Sequence, residues 1–181
     1  MTGAQRAALA ALAATFTASA VAIPTIAKWE GWRNDAYSDP ILIATACVGA
    51  TQGVKAGKTY TDTECRDLLA RDVISHGLAI APCLPENLPV ETRAAFVSMA
   101  FNIGPKAFCS STLSKKARAG DLRGACAEMD RWVYANGRTL AGLVKRRADE
   151  RRLCEVGLAG SPALRGPISP SVGPNPFVSG S

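Results

Sequence analysis

The residues best equipped for chemistry crowd into one stretch, Trp29-Glu30-Gly31-Trp32-Arg33-Asn34-Asp35-Ala36-Tyr37-Ser38-Asp39. Glu30 follows a tryptophan and precedes a glycine. An acid packed against an aromatic ring holds its proton, because desolvation disfavours the charged form. That state suits a general acid. Asp39 stands beyond a turn, where polar neighbours and water keep a carboxylate ionised. Two carboxyls in unlike surroundings are what glycosidic cleavage requires. Without that chemistry, the same stretch reads as a surface helix with ordinary acids.

Other chemistries find little support. His76 is the single histidine and there is no HExxH, so no metal site is expected. No GxxxxGK[ST] or GxGxxG occurs, so no phosphate-cradling loop and no cofactor are expected. His76 falls mid-helix, at the surface or partly buried. The six cysteines, Cys47, Cys65, Cys83, Cys109, Cys126 and Cys154, form no CxxC. An even, well-separated set reads as three disulfides in an oxidising compartment, against six buried thiols. A reactive role for Cys47, near Thr45, is a further option. The formal net charge of +6 suits an anionic partner. Nucleic acid is not that partner, since no recognition motif accompanies the charge.

These residues need elements to hold them. The length of 181 residues fits one domain with short extras. Residues 7–27 carry no charge and are long enough to span a bilayer. They are alanine-rich, with Thr15, Thr17, Ser19, Thr25 and Pro24 opposing insertion, which makes a marginal membrane helix. Three readings compete: an export signal cut at Ala18-Ser19-Ala20, an uncleaved and weakly held anchor, and a buried helix. The cysteines argue against the third. Lys28–Tyr37 reads as a short helix entering a turn at Asp39-Pro40, and 41–51 as strands of a hairpin. Thr61-Asp62-Thr63-Glu64 is a capping box opening a helix to about Ile80. Helices are expected at about 90–102, 111–119, 121–132 and 140–156. The last carries an apolar stripe of Leu143, Val144, Ala148 and Leu153. From Gly160 the chain is rich in Pro, Gly and Ser and reads as a disordered tail. A small β unit followed by helices is an α+β pattern.

Glu30 to Asp39 spans nine residues and Glu30 to Thr45 fifteen. With Glu30-Gly31, Arg33, Ala36-Tyr37 and Asp39 in that order, the chain resembles the phage-type lysozymes of glycoside hydrolase family 24, which include the T-even phage lysozyme. Thr45-Ala46-Cys47-Val48-Gly49 resembles the family's second strand, and Phe101-Asn102-Ile103-Gly104 its Phe-Asn-x-Gly helix end. Ser111-Thr112-Leu113, Arg131-Trp132, and Gly142-Leu143 with Arg146, Arg147 and Glu150 follow in family order. The resemblance covers residues 28–158. It implies a lysozyme-like fold, with a small hairpin lobe, a larger helical lobe and a cleft between them. It also implies hydrolysis of the β-1,4 bond between N-acetylmuramic acid and N-acetylglucosamine in peptidoglycan. Glu30 would protonate the leaving oxygen. Asp39 and Thr45 would hold water or stabilise charge on the sugar ring, Thr45 through a hydroxyl that donates and accepts. Inversion, held to be the outcome in such members, needs a water-sized gap between Glu30 and Asp39. Phe101, Asn102 and Thr112 match positions lining the family's sugar cleft. Where the family has Gly-His-Thr, this chain has Gly49-Ala50-Thr51.

The anchor resembles that of signal-anchor-release endolysins, the refolding branch, since no cysteine precedes Cys47. That implies residues 1–27 as anchor, 28–159 as catalytic domain and 160–181 as tail. The partners implied are peptidoglycan and, before release, the inner membrane through residues 7–27, the working form being a monomer exported to the periplasm. Chain order and expected packing suggest Cys47–Cys65, Cys83–Cys109 and Cys126–Cys154, one of fifteen possible pairings. Within the basic cluster Lys145, Arg146, Arg147, Arg151 and Arg152, one arginine turned inward would orient Glu30, and the others would steer the chain toward the anionic wall. The competing reading is a non-catalytic, secreted peptidoglycan-binding protein on the same scaffold.

Overall fold

The charge-poor N-terminal stretch is helical throughout. In the computed structural model, which describes residues 2–38, 44–47, 49 and 54–160, helix α1 runs from Gly3 to Glu30. Thr2 caps it by accepting from the Gln5 amide, and the Gln5 side chain returns a bond to the Thr2 amide. Its inward face is Thr15, Ala18, Ser19, Ala22 and Ile26, spaced at helical intervals. Leu9, Leu12 and Phe16 point outward. Small and hydroxylated side chains therefore face the body, and the large apolar ones of the first turns do not.

The inward face lies against α2 (Asp62–Ile80) and α3 (Val90–Ile103). Gly77 of α2 makes the approach possible: a Cβ there would stand 2.9 Å from Thr15 Cγ2 and 3.3 Å from Ser19 Oγ. α3 is buried continuously from Thr92 to Ala100, as a helix wrapped on all sides must be. The capping box at Thr61 and Glu64 is formed, each reaching the other's amide.

The expected helix over Lys28–Tyr37 is not what forms. Gly31, at φ 76°, ends α1, and strand β1 (Arg33–Ser38) begins two residues later. β1 pairs antiparallel with β2 (Ala44–Cys47), placing Tyr37 opposite Thr45. The register slips between Arg33 and Tyr37, a bulge. The other edge of β1 bonds to the chain at Lys58–Tyr60: Ala36 donates to Lys58 O and Tyr60 to Asn34 O. That long-range partner, absent from any local pattern, converts the stretch to strand.

Beyond α3 come α4 (Pro105–Ser110), α5 (Thr112–Arg118) and α6 (Leu122–Glu128), then a 3-10 turn at Met129–Arg131. A second hairpin joins β3 (Tyr134–Ala135) to β4 (Arg138–Thr139) through Asn136-Gly137, both at positive φ. α7 (Ala141–Gly160) closes the body against α3. The expected stripe on α7 is also corrected: Val144 is 45% exposed, and Arg146, Arg147, Glu150, Cys154, Gly157 and Leu158 face inward. Charges that satisfy one another can occupy a core face that an apolar count assigns elsewhere.

The disulfides join Cys47 to Cys65, Cys83 to Cys109 and Cys126 to Cys154, the pairing suggested by chain order. They tie β2 to α2, the 3-10 turn Ala81–Cys83 that follows α2 to α4, and α6 to α7. The tail is expected from Gly160, but Gly160 is the last residue of α7, and residues 161–181 lie outside the described residues.

Candidate active site

Glu30 is the last residue of α1, and Gly31 turns the chain sharply away, leaving the carboxyl at a helix end. Its side chain is 24% exposed. Arg146, on the first turns of α7, donates from Nη1 to Glu30 Oε1 at 2.6 Å. The same guanidinium donates from Nε to Glu150 Oε1 at 3.1 Å, one turn further along. Glu150 is wholly buried and also accepts from Ser98 Oγ at 2.7 Å. Arg147, wholly buried too, sets Nη1 3.0 Å from Glu150 Oε2 and donates from Nη2 to Asn102 Oδ1 at 2.6 Å. One connected cluster thus runs from α1 through α7 to α3.

Burial drives the electrostatics of this cluster. It pushes the Glu150 carboxyl up from its ordinary range, against the pull of Arg147, the Ser98 hydroxyl and Arg146. It pulls the Arg147 guanidinium down, with Glu150 and Glu30 opposing and Arg146 adding to the shift. A buried ion pair without further hydrogen bonds is costly; Ser98, Asn102 and Glu30 supply some, while Arg146 Nη2, Arg147 Nε and Nη1 and Glu150 Oε2 are buried with no hydrogen-bond partner among the described residues.

Beside Glu30 lies a cavity of about 370 Å³, lined by Trp29, Glu30, Asn102, Leu140, Gly142, Leu143 and Arg146. Its polar groups are an acid, a guanidinium and an amide, and its walls are apolar, as in a site that orients a neutral polar ligand. Phe101 is half-buried with its ring 5.0 Å from that of His76, whose Nδ1 lies 2.7 Å from Asp72 O. Thr112 opens α5 at the surface and is not among the residues lining this cavity. Thr45 is buried on β2, opposite Tyr37. Asp39, Ala50 and Thr51 lie outside the described residues. No group of His, Cys, Asp and Glu able to hold a metal occurs among the described residues.

Glu30, Asn102 and one inward arginine are therefore brought together as the sequence suggests. Sequence reasoning missed Arg147 and Glu150 as buried partners, and Leu140 as a wall. Arg146, Arg147 and Glu150 stand three and four residues apart, the helical spacing at which side chains meet, and that was the available signal.

A two-stranded lobe beside a helical body, with a half-buried acid–guanidinium pair at the cavity edge, defines a lysozyme-like α+β hydrolase. The phage lysozyme family model matches residues 27–150, and the chain belongs to that family. It is a glycoside hydrolase, a lysozyme that degrades peptidoglycan. It is 40% identical over 126 residues to the SAR-endolysin of Bacteriophage PS119, covering 69% of this chain and 75% of that protein. It is 35% identical to the SAR-endolysin of Enterobacteria phage P21, over 80% of this chain and 93% of that one. Among solved structures, the active form of the P1 phage endolysin Lyz aligns at TM-score 0.66 and 29% identity, over 75% of this chain and 83% of that one. A P22 lysozyme mutant aligns at TM-score 0.67 and 31% identity, over 74% and 94%.

Proposed function

We propose that the chain is an endolysin cleaving the β-1,4 bond between N-acetylmuramic acid and N-acetylglucosamine, with Glu30 as the proton donor. The observation that carries this reading is the pairing of Glu30 with Arg146 at the edge of the cavity. A half-buried carboxyl held at one oxygen leaves the other to face a glycosidic oxygen. Asp39 and Thr45 hold the water or stabilise positive charge on the sugar ring. Asn102, fixed through Oδ1 by Arg147, keeps its amide hydrogens for the sugar, and Phe101 and Thr112 extend the substrate contacts.

The protein is exported to the periplasm and tethered by α1 until release. Ala8–Glu30 is long and apolar enough to cross a membrane. While the face Thr15–Ile26 lies in lipid it cannot also cover α2 and α3, so Glu30 is withheld from Arg146. The anchor reading is preferred over a cleaved signal because a cut after Ala20 would strip Thr15, Ala18 and Ser19 from the body. The released enzyme acts as a monomer, with residues 28–159 as its catalytic domain and 160–181 as an appended tail.

The test is turbidity loss of purified peptidoglycan by the full chain and by Glu30→Gln, followed by mass analysis of the fragments. Clearing by the first alone, yielding reducing-end muramic acid, is expected. Equal clearing by both would remove Glu30 from the role. Fragments ending in reducing glucosamine would overturn the bond assignment.

A further inference from the structure

Helix α1 divides along its length. Thr15, Ala18, Ser19, Ala22 and Ile26 are buried on the body. Ahead of Thr15 the helix buries nothing: every side chain described among residues 2–13 is exposed. From Gly3 to Thr15 the axis rises by about 18 Å. The large apolar side chains of this end fall on one stripe. Leu9, Leu12 and Phe16 are spaced three and four residues apart, so they lie one above another. They are 54, 41 and 50% exposed. Arg6 stands one turn before Leu9 and is the only charge in residues 2–27.

We propose that this stripe binds the surface of an anionic bilayer after release, so that the folded, active enzyme rests on the membrane its anchor has left. This rests on the tether reading and goes beyond it: spanning needs α1 stripped from α2 and α3, and resting on the surface does not. Refolding moves the inward face of residues 15–26 from lipid to protein. It gives Leu9, Leu12 and Phe16 no new cover. Their attraction to lipid therefore outlasts the span, as a shallow contact of the kind amphipathic helices make. All three lie within Ala8–Glu30, the segment long and apolar enough to cross a membrane.

Charge selects lipid over a second copy of the chain. Arg6 and the positive end of the helix dipole both favour phospholipid phosphate. No acid occurs in residues 2–27, so a second copy laid along these turns offers Arg6 no counter-charge there. The formal net charge of +6 adds to the pull of an anionic surface. Glu30 ends the same helix, about 40 Å along the axis from Gly3, which leaves the cavity clear of the lipid contact.

The experiment sediments the full chain, oxidised and active on wall fragments, with vesicles of phosphatidylcholine containing phosphatidylglycerol, and with vesicles of phosphatidylcholine alone. The pelleted vesicles are then assayed on soluble, dye-labelled wall fragments. Binding to the anionic vesicles, with the bound protein still active, is the expected result. Combining Leu9→Ser, Leu12→Ser and Phe16→Ser lowers the binding constant about tenfold and leaves clearing in vesicle-free buffer unchanged. Arg6→Gln alone lowers binding to the anionic vesicles about fivefold and leaves binding to the neutral ones as it was, which decides the matter should the triple variant not fold. Bound protein that has lost its activity has reinserted α1, and that overturns the proposal. Failure to sediment, or equal binding by both variants and the parent, overturns it too. So does a dimer in vesicle-free buffer that the triple variant abolishes, which would give the stripe to a second copy. The tether reading is checked separately, by alkaline carbonate extraction of the newly made chain from cells: a chain that carbonate strips from the membrane has no spanning anchor, whatever the vesicles show.

Discussion

At the scale of single residues, the chain separates acids by what surrounds them. Glu64, at the surface, bonds Lys58 Nζ and the Thr61 amide, and this holds its carboxyl at about 2 instead of 4.5. A carboxyl lowered in the folded state stabilises it above the ordinary value, and that gain is lost as pH falls through the lowered one. Thermal melts from pH 5 to 2 should therefore show a steeper fall in Tm for the parent than for Glu64→Gln. Parallel curves would place the acid sensitivity elsewhere. Arg146 acts through two edges of one planar group, which an ammonium cannot imitate. Arg146→Lys should lower kcat of wall clearing by about tenfold or more, with a smaller change in KM. Glu30 stands out in the sequence as a candidate through its tryptophan and glycine neighbours together with its spacing to Asp39 and Thr45. Glu150 does not, because a carboxylate in a basic helix reads as solvated until its partners are placed around it.

At the scale of elements, local signals succeeded where the structure is local. The Thr61–Glu64 box and the prolines at 82, 85 and 89 bracket α2 and announce α3 without help from the rest of the chain. β1 defied the same treatment because its second edge is bonded to Lys58–Tyr60, more than twenty residues away. The β3–β4 hairpin carries a local signal, Asn136-Gly137, but its strands are only two residues long, too short for an alternating pattern to show between the helices expected on either side. α7 misled because its core face is built from charges. Two glycines mark where helices come closest. Gly77→Ala sets a methyl 2.9 Å from Thr15 Cγ2, and overpacking of this kind costs about 1–3 kcal/mol. Calorimetry of the released protein should record a Tm lower by several degrees. Gly157→Ala, whose Cβ would stand 2.5 Å from Thr92 Oγ1, should disturb the α3–α7 contact more.

At the scale of the whole molecule, three short staples hold a body whose first helix is borrowed from the membrane. The cross-links close separations of 18, 26 and 28 residues. On the loop-entropy model each contributes about 3 kcal/mol. Reduction should therefore lower the thermal midpoint steeply and extinguish clearing, measured with and without reductant at constant pH. Beginning the chain at residue 21 should be comparably damaging, since α2 and α3 would lose Thr15, Ala18 and Ser19.

Glu30 ends the very helix whose length lets it cross a bilayer. Under the proposed function, the restraint and the catalyst are thus made in strict one-to-one ratio, by one ribosome in one pass. No separate inhibitor has to be matched in amount, and none can be diluted away. Background damage to the wall then depends on the fraction of molecules released, so a large store can accumulate while that fraction stays small.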